Sequence, residues 1–211
     1  DINSIKHPAI REVFKYLKVN KGLEIHHDAD LPAKSGLGSS SSFIVGLLNS
    51  INMLYKRKYS NEELALKAIH IEQNMLKESV GSQDQVAAAY GGLNKIVFNK
   101  DESIEVLPIE ISHEVLSKLE ETTLFFFTGF TRIASSIAKH QIKITPQKTT
   151  ELLTMYQMVD EAVSILNSNK NLVKDFGELL NESWMIKKSI TDKITNSRIE
   201  EIYDVAMNNG A

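Results

Sequence analysis

Residues 32–42 read Pro-Ala-Lys-Ser-Gly-Leu-Gly-Ser-Ser-Ser-Ser, between a strand-like segment and a strongly apolar helical one. The glycines at 36 and 38 allow the backbone to turn tightly and to approach a ligand. The serines fall at the start of the predicted helix, where several N–H groups have no partner within the helix. Those donors and the positive end of the helix dipole suit a phosphate group. We therefore expect an anion-binding loop here rather than a flexible glycine and serine linker.

The segments on either side of this loop have the patterns of regular structure. Leu23 to Ala29 alternate apolar and polar residues, which predicts a half-buried strand. From Phe43 to Leu54, apolar residues recur at helical spacing. Ser60 and Glu63 then have the pattern of a capping box, which opens a second amphipathic helix that runs to about Lys77.

The rest of the chain passes from mixed helices and strands to helices alone. The predicted elements are, in order, an alanine-rich helix over 83–90 closed by Gly91-Gly92, strands over 93–98 and 122–128, and helices from about 147 to 207. The composition shifts near residue 145, after which no convincing strand follows. We therefore predict an α+β fold in two parts, 1–145 with the phosphate loop and 146–211 as a helical layer.

The composition excludes several classes of function. A formal charge of -3 over 211 residues gives no basic surface to hold a nucleic-acid backbone. No apolar stretch reaches the length that spans a bilayer, and the first residues lack the pattern of a signal peptide. Because the sequence has no cysteine, it offers no disulfide, thiolate metal site or thiol nucleophile. We expect a cytoplasmic protein with a small-molecule partner, and neither nucleic acid nor membrane.

Glu72 interrupts an apolar stripe on the second predicted helix. It follows Ala65 and Ile69 and precedes Leu76 at helical spacing. A carboxylate in such a stripe needs a partner, and magnesium takes few protein carboxylates alongside phosphate oxygens. Glu72 is therefore a candidate for a magnesium site begun by the serines. The alternative, a charge at the rim of the core that reaches water or a lysine, stays equally open.

Three further residues carry groups that can act on a phosphorylated substrate. Asp84 lies at the start of the alanine-rich helix, where it either caps the helix or accepts a hydroxyl proton during phosphoryl transfer. Thr131 and Arg132 follow the predicted strand over 122–128, and the arginine can donate two hydrogen bonds to an anion. From the residues alone, a helix cap and a solvated arginine are the simpler interpretations. The six histidines have no metal-ligand spacing.

The order of these motifs resembles that of the GHMP kinases, the family of galactokinase, homoserine kinase, mevalonate kinase and phosphomevalonate kinase. The family pattern Pro-x-x-x-Gly-Leu-Gly-Ser-Ser corresponds to Pro32 through Ser40. A helical glutamate, a Gly-x-x-Asp and a Gly-Gly follow it, here Glu72, Gly81 to Asp84 and Gly91-Gly92. The resemblance implies a two-layer α+β fold, with a ribosomal-protein-S5-domain-2-like first part and a helical C-terminal part. It also implies a kinase that uses ATP and magnesium to phosphorylate a sugar or a similar alcohol.

This resemblance implies a role for most of the candidate residues. It implies that magnesium is bound by Ser40 and Glu72, that Asp84 is the catalytic aspartate, and that ATP and its phosphates are bound by Gly36, Leu37, Gly38, Ser39, Ser40 and Ser41. We expect Asp84, Thr131 and Arg132 to contact the substrate. Residues 1–145 become the ATP-binding part, and 146–211 the helical part of a substrate-facing C-terminal domain. The family's first motif and glycine-rich third motif do not occur in these residues, so we expect the fold to lack both ends.

A finer resemblance is to the bacterial heptose-phosphate kinases of this family. It is carried by Gly81 to Gln85, Ala87 to Gly92 and Phe127 to Ser136. It implies that the substrate is D-glycero-D-manno-heptose 7-phosphate, phosphorylated at O1 to the 1,7-bisphosphate for nucleotide-heptose synthesis. Arg132 is our hypothesised contact to the phosphate that this substrate already bears. Fucose, galactose or a mevalonate-like alcohol stay open as acceptors, and so does a phosphate-binding module without catalysis.

Overall fold

The computed structural model describes residues 1–30, 36–128, 142–168 and 170–211. Within them the chain divides into two compact units, and the division falls between Gly92 and Leu93. The boundary predicted at residue 145 separates parts with different proposed functions, an ATP-binding part and a substrate-facing part. It stays a prediction.

The first unit is helical. Its elements are a 3-10 turn over Ile2–Ser4, helix α1 Pro8–Leu17, helix α2 Ser39–Leu54, helix α3 Asn61–His70, a π-helical turn over Ile71–Met75 and helix α4 Gln83–Tyr90. Helix α2 contacts α1, α3 and α4. It forms the centre of the core, where Ile44 and Leu48 are fully buried together with Val13 of α1 and Ala68 of α3. The predicted helices after the glycine loop and over 83–90 are thus confirmed.

Helix α3 begins with the predicted capping box. The Ser60 hydroxyl accepts a hydrogen bond from the Glu63 N–H at 3.1 Å, and the Glu63 carboxylate accepts one from the Ser60 N–H at 2.8 Å. The helix does not stay α-helical to its predicted end, because it widens into the π-helical turn, where the Leu76 N–H donates to the Ile71 carbonyl at 2.9 Å. Such turns are rare and frequently lie at functional sites. This one carries Glu72.

The prediction of a strand over Leu23–Ala29 is wrong. These residues belong to no regular element, although Leu23 and Ile25 are half-buried against the core of the first unit while the residues beside them are exposed. The alternation thus corresponds to one-sided burial at Leu23 and Ile25, but not at His27 and Ala29, which are exposed. A strand also needs a neighbouring strand to share its backbone hydrogen bonds, and no described residue supplies one here.

The second unit combines a hairpin with helices. Its elements are strand β1 Asn94–Phe98, strand β2 Ile104–Pro108, helix α5 His113–Thr122, a 3-10 turn over Thr145–Gln147, helix α6 Thr149–Ser168, helix α7 Leu172–Ile190 and helix α8 Ser197–Asn208. The strands pair antiparallel, with Ile96 opposite Val106. Val115, Leu166 and Leu172 form a small buried cluster. The predicted strand over 93–98 and the helical region from 147 to 207 are confirmed.

The prediction of a strand over Thr122–Thr128 is also wrong. Thr122 is the last residue of α5, and residues 123–128 belong to no regular element. Leu124 and Phe125–Phe127 each expose more than half of their surface, between 54% and 77%. A continuous apolar run is typical of a strand that is covered on both faces, and no described segment covers this one.

In the described parts of the chain, no helix combines the length and the apolar character needed to cross a membrane.

Replacing Ser60 by alanine is expected to destabilise the first unit. The change removes the hydroxyl that accepts the Glu63 N–H, and so breaks one half of the capping box. The free energy of unfolding should fall by about 1 kcal/mol, measured by urea denaturation. Glu62→Gln changes an acid of the same helical turn outside the box and is the control. A loss no larger than the control's would show that the cap does not hold the start of α3.

Candidate functional site

The glycine loop ends in the first turn of α2. Gly36 and Gly38 have φ angles of +84° and +66°, in the left-handed region that glycine adopts without strain. Gly38 is the N-cap residue, and its carbonyl accepts the first hydrogen bond of the helix, from the Ser42 N–H at 2.9 Å. The N–H groups before Ser42 have no acceptor within the helix, and the side chains of Ser39 and Ser40 are exposed. This end of α2 can therefore donate several hydrogen bonds to an anion.

Asp84 lies against this loop. A Cβ atom placed on Gly38 would lie 3.0 Å from Cγ and 3.1 Å from Oδ2 of Asp84. The N-cap residue of α4 is Ser82, so the simpler prediction, that Asp84 only caps the helix, is wrong. The exposed carboxylate of Asp84 instead lies beside residues that we predict to hold phosphate.

Glu72 is fully buried between the same elements. Its Oε2 atom accepts a hydrogen bond from the Ser41 hydroxyl of α2 at 2.7 Å, and another from the Gln85 side-chain amide of α4. Its other oxygen, Oε1, is buried and receives no hydrogen bond from the described residues. The alternative of a charge at the rim of the core does not hold, because Glu72 has no exposed surface.

No positively charged side chain of the described residues pairs with Glu72. Both of its described donors are neutral. Partial burial raises the pKa of the nearby Glu78 carboxyl above its usual value, and the charge of Glu72 adds to that rise. A buried carboxylate is unfavourable without an opposite charge. These surroundings therefore favour a bound cation.

Two oxygen donors at this corner are of the chemical kind that magnesium binds. Oε1 of Glu72 has no partner among the described residues, and Ser40 offers an exposed hydroxyl in the first turn of α2. Magnesium usually takes one or two protein carboxylates and completes its shell with water and phosphate oxygens. No cluster of three or more His, Cys, Asp or Glu side chains that could hold a metal occurs in the described part of the chain. The donor set is thus suited to an ion that a phosphorylated ligand shares.

Sequence patterns missed two glutamines that join the segments of the site. Gln85 donates to Glu72, and Gln73 donates from Nε2 to the Val80 carbonyl and to the Ser82 hydroxyl, both at 3.1 Å. Gln73 thereby ties the turn before α4 to the π-helical turn. The only signal for these roles in the sequence is that each glutamine directly follows an acidic candidate.

The structure brings together the predicted site residues that it describes. The loop, Glu72 and Asp84 meet at the start of α2. Ser41 differs from its neighbour Ser40, because its buried hydroxyl donates to Glu72 while that of Ser40 is exposed. Leu37 is exposed in the loop. Outside the described residues lie 32–35, Thr131 and Arg132.

Alanine at each loop glycine is expected to separate backbone strain from steric contact. Either substitution puts a side chain at a positive φ angle, which costs about 1–2 kcal/mol of stability. A Cβ on Gly36 meets no atom of the described residues within 4 Å, whereas one on Gly38 would lie 3.1 Å from Asp84 Cβ, a contact that rotation of the carboxyl cannot relieve. Thermal unfolding should show a larger loss for Gly38→Ala than for Gly36→Ala. Equal losses would contradict the close approach of α4.

The first unit matches a known family. Residues 3–92 match the model of the GHMP kinases N terminal domain. The matched range contains the glycine loop, Glu72 and Asp84, so the three groups that meet in the structure lie within one family domain.

Two curated relatives indicate the chemistry of similar proteins. The chain is 32% identical to the D-glycero-alpha-D-manno-heptose 7-phosphate kinase of Campylobacter jejuni over 205 residues, which cover 95% of this chain and 59% of the relative. It is 29% identical to the galactokinase of Pyrococcus furiosus over 141 residues, which cover 63% of this chain and 38% of that one. The chain therefore spans less than two thirds of the length of these relatives.

Two solved structures share the fold. A putative sugar kinase from Campylobacter jejuni matches with a TM-score of 0.67 and 28% identity, over 97% of this chain and 56% of that chain. A D-glycero-D-manno-heptose 1-phosphate kinase from Bacteroides thetaiotaomicron matches with a TM-score of 0.63 and 24% identity, over 86% and 53%. The second likeness is one of fold alone.

Proposed function

Residues 3–92 of this chain belong to the GHMP kinase family, and on that premise we propose that the protein is a kinase that uses ATP and magnesium to phosphorylate a sugar phosphate. The predicted GHMP-kinase-like α+β fold is confirmed by the solved structures that the chain matches. The observation that carries the proposed activity is the meeting of the glycine loop, Glu72 and Asp84 at the start of α2.

The residues from Gly36 to Ser41 bind the ATP phosphates in this proposal. The glycines turn the backbone, and the first N–H groups of α2 have no acceptor within the helix. The helix dipole adds roughly half a positive charge at this end. Phosphoryl transfer depends mainly on positioning and on neutralising charge. A tight loop at a helix start provides both.

Ser40 and Glu72 would hold the magnesium ion. Once bound, the ion neutralises negative charge on the phosphate oxygens. The contribution of this chain is a buried carboxylate whose Oε2 is held by Ser41 and Gln85, while Oε1 has no described donor. A fixed carboxylate loses little conformational freedom when it binds a cation, which favours affinity.

In this proposal Asp84 accepts or orients the proton of the acceptor hydroxyl. Its carboxylate is exposed beside the phosphate loop, and the missing side chain at Gly38 allows that approach. A positioned aspartate serves this role in other kinases. Thr131 and Arg132 are proposed to contact the phosphate that the acceptor already carries, since a guanidinium can donate two hydrogen bonds to an anion.

The acceptor that we propose is D-glycero-D-manno-heptose 7-phosphate, converted at O1 to the 1,7-bisphosphate. The support is similarity over 95% of this chain to a relative named for that sugar phosphate. The similarity to a galactokinase keeps another sugar as the second candidate. A phosphate-binding module without catalysis is less well supported, because an acid that could accept a proton, Asp84, lies beside the loop.

Replacing Asp84 by asparagine is expected to lower turnover with binding largely kept. The change keeps the size of the side chain but removes its ability to accept a proton, which usually costs roughly 10²–10⁴-fold in rate. Turnover and KM would be measured in the full-length protein by coupled detection of ADP. Asp204→Asn, at an exposed acid of the second unit, is the control. A loss of less than tenfold would remove Asp84 from the role of base.

Replacing Arg132 by alanine is expected to weaken binding of the phosphorylated sugar specifically. The variant loses the proposed contact to the acceptor phosphate, while its affinity for ATP should not change. Isothermal titration with heptose 7-phosphate, and with the same heptose lacking phosphate, separates the two contributions. An unchanged affinity for the phosphorylated sugar would contradict the role of Arg132. The acceptor itself is tested by assaying a panel of sugars, and turnover only with a different sugar would contradict the proposed one.

A further inference from the structure

Gln85 is a buried polar residue for which the proposed function has no role. It is fully buried in α4, directly after Asp84, and its amide donates to Oε2 of Glu72. Its own carbonyl oxygen receives no hydrogen bond from the described residues. The orientation of this amide is therefore set by Glu72, because only its NH₂ end can donate to a carboxylate.

The chemical character of the two donors matters. A lysine or arginine in place of Gln85 or Ser41 would cancel the charge of Glu72 and compete with a metal ion. A glutamine amide and a serine hydroxyl fix the carboxylate without neutralising it. Both bond the same oxygen, so among the described residues no donor occupies the other oxygen, which remains for a cation.

The same hydrogen bond links the two acidic residues of the site. Glu72 lies in the π-helical turn, whereas Asp84 is the neighbour of Gln85 in the first turn of α4. Gln73 adds a second tie, because its amide bonds both Val80 and Ser82 before α4 begins. Hydrogen bonds thus hold the segment of Asp84 to the segment of Glu72 on both sides of Asp84. Gln73 bonds the residues before it, and Gln85 bonds Glu72 from the position after it.

We propose that Gln85 is a positioning residue of the metal and phosphate site: its neutral hydrogen bond holds Glu72 as a charged ligand that offers one oxygen to the cation. The proposal rests on the proposed function, since it takes the cation to be magnesium bound with ATP. It adds a residue that touches neither metal nor nucleotide but acts through Glu72.

Asn52 provides a matched comparison within the same unit. It is buried to the same degree in α2, and neither atom of its amide has a hydrogen-bond partner among the described residues. No hydrogen bond among the described residues joins it to Glu72. Replacing either amide by an apolar side chain of similar size therefore changes a buried polar group in the first unit, but only at Gln85 does the change affect Glu72.

The test compares Gln85→Met, Asn52→Leu and Glu72→Gln with the unchanged full-length protein. Isothermal titration calorimetry would measure the Kd of ATP with magnesium and again with EDTA, and circular dichroism would confirm folding. The gain in ATP affinity from magnesium should fall 10–100-fold in Gln85→Met, the usual range when a residue that orients a metal ligand is changed. The affinity of Gln85→Met for ATP in EDTA should stay within about twofold of that of the unchanged protein. In Asn52→Leu, the affinity for ATP should stay within about twofold both with magnesium and with EDTA.

The outcomes separate this proposal from the proposed function. If Glu72→Gln abolishes the gain from magnesium while Gln85→Met retains it, the role of Gln85 is wrong and the metal site stands. If neither variant alters the gain, the metal site itself is wrong. Equal effects of Gln85→Met and Asn52→Leu would mean that Gln85 only fills the core. Should Gln85→Met not fold, Ser41→Ala removes the other donor to Oε2 and must lower the gain from magnesium instead.

Discussion

The candidate site depends on one buried carboxylate. Glu72 has no exposed surface, and the two described groups that bond it, from Ser41 and Gln85, carry no charge. A charge in that position is unfavourable until an opposite charge completes it. A sequence selected only for a stable core would place an apolar residue there, as the neighbouring positions of the stripe do. The acid at this position therefore supports the proposed binding of a cation at the start of α2.

Local structure brings the other groups to this acid. The capping box at Ser60 and Glu63 fixes the start of α3, and the π-helical turn that follows carries Glu72. The absence of a side chain at Gly38 allows α4 to bring Asp84 into contact distance of the loop. Three segments that are distant in sequence thus bring together the residues for which we propose the roles of phosphate cradle, metal ligand and base. All three lie within the first unit and within the family match.

Sequence patterns predicted the features that have a local physical signal. Helical periodicity located α2, and the Ser60 capping box located the start of α3. The two wrongly predicted strands show the limit of such patterns. Over Leu23–Ala29 the alternation corresponds to partial burial of Leu23 and Ile25, but no described strand pairs with the segment. Over Thr122–Thr128 the apolar run is exposed. The bonds of Ser41 and Gln85 to the buried acid depend on how α2 and α4 pack together, which no local pattern encodes. The roles of the site residues remain proposals.

Anomalous diffraction from crystals of the full-length protein, grown with manganese and a nonhydrolysable ATP analogue, tests the central claim most directly. Manganese binds to the same kind of oxygen ligands as magnesium, and it scatters anomalously. We predict a manganese peak at coordination distance from Oε1 of Glu72, with the phosphates of the analogue on the N–H groups of residues 36–41 and Asp84 facing the terminal phosphate. A metal peak away from Glu72, or phosphates bound elsewhere than the loop, would contradict the claim.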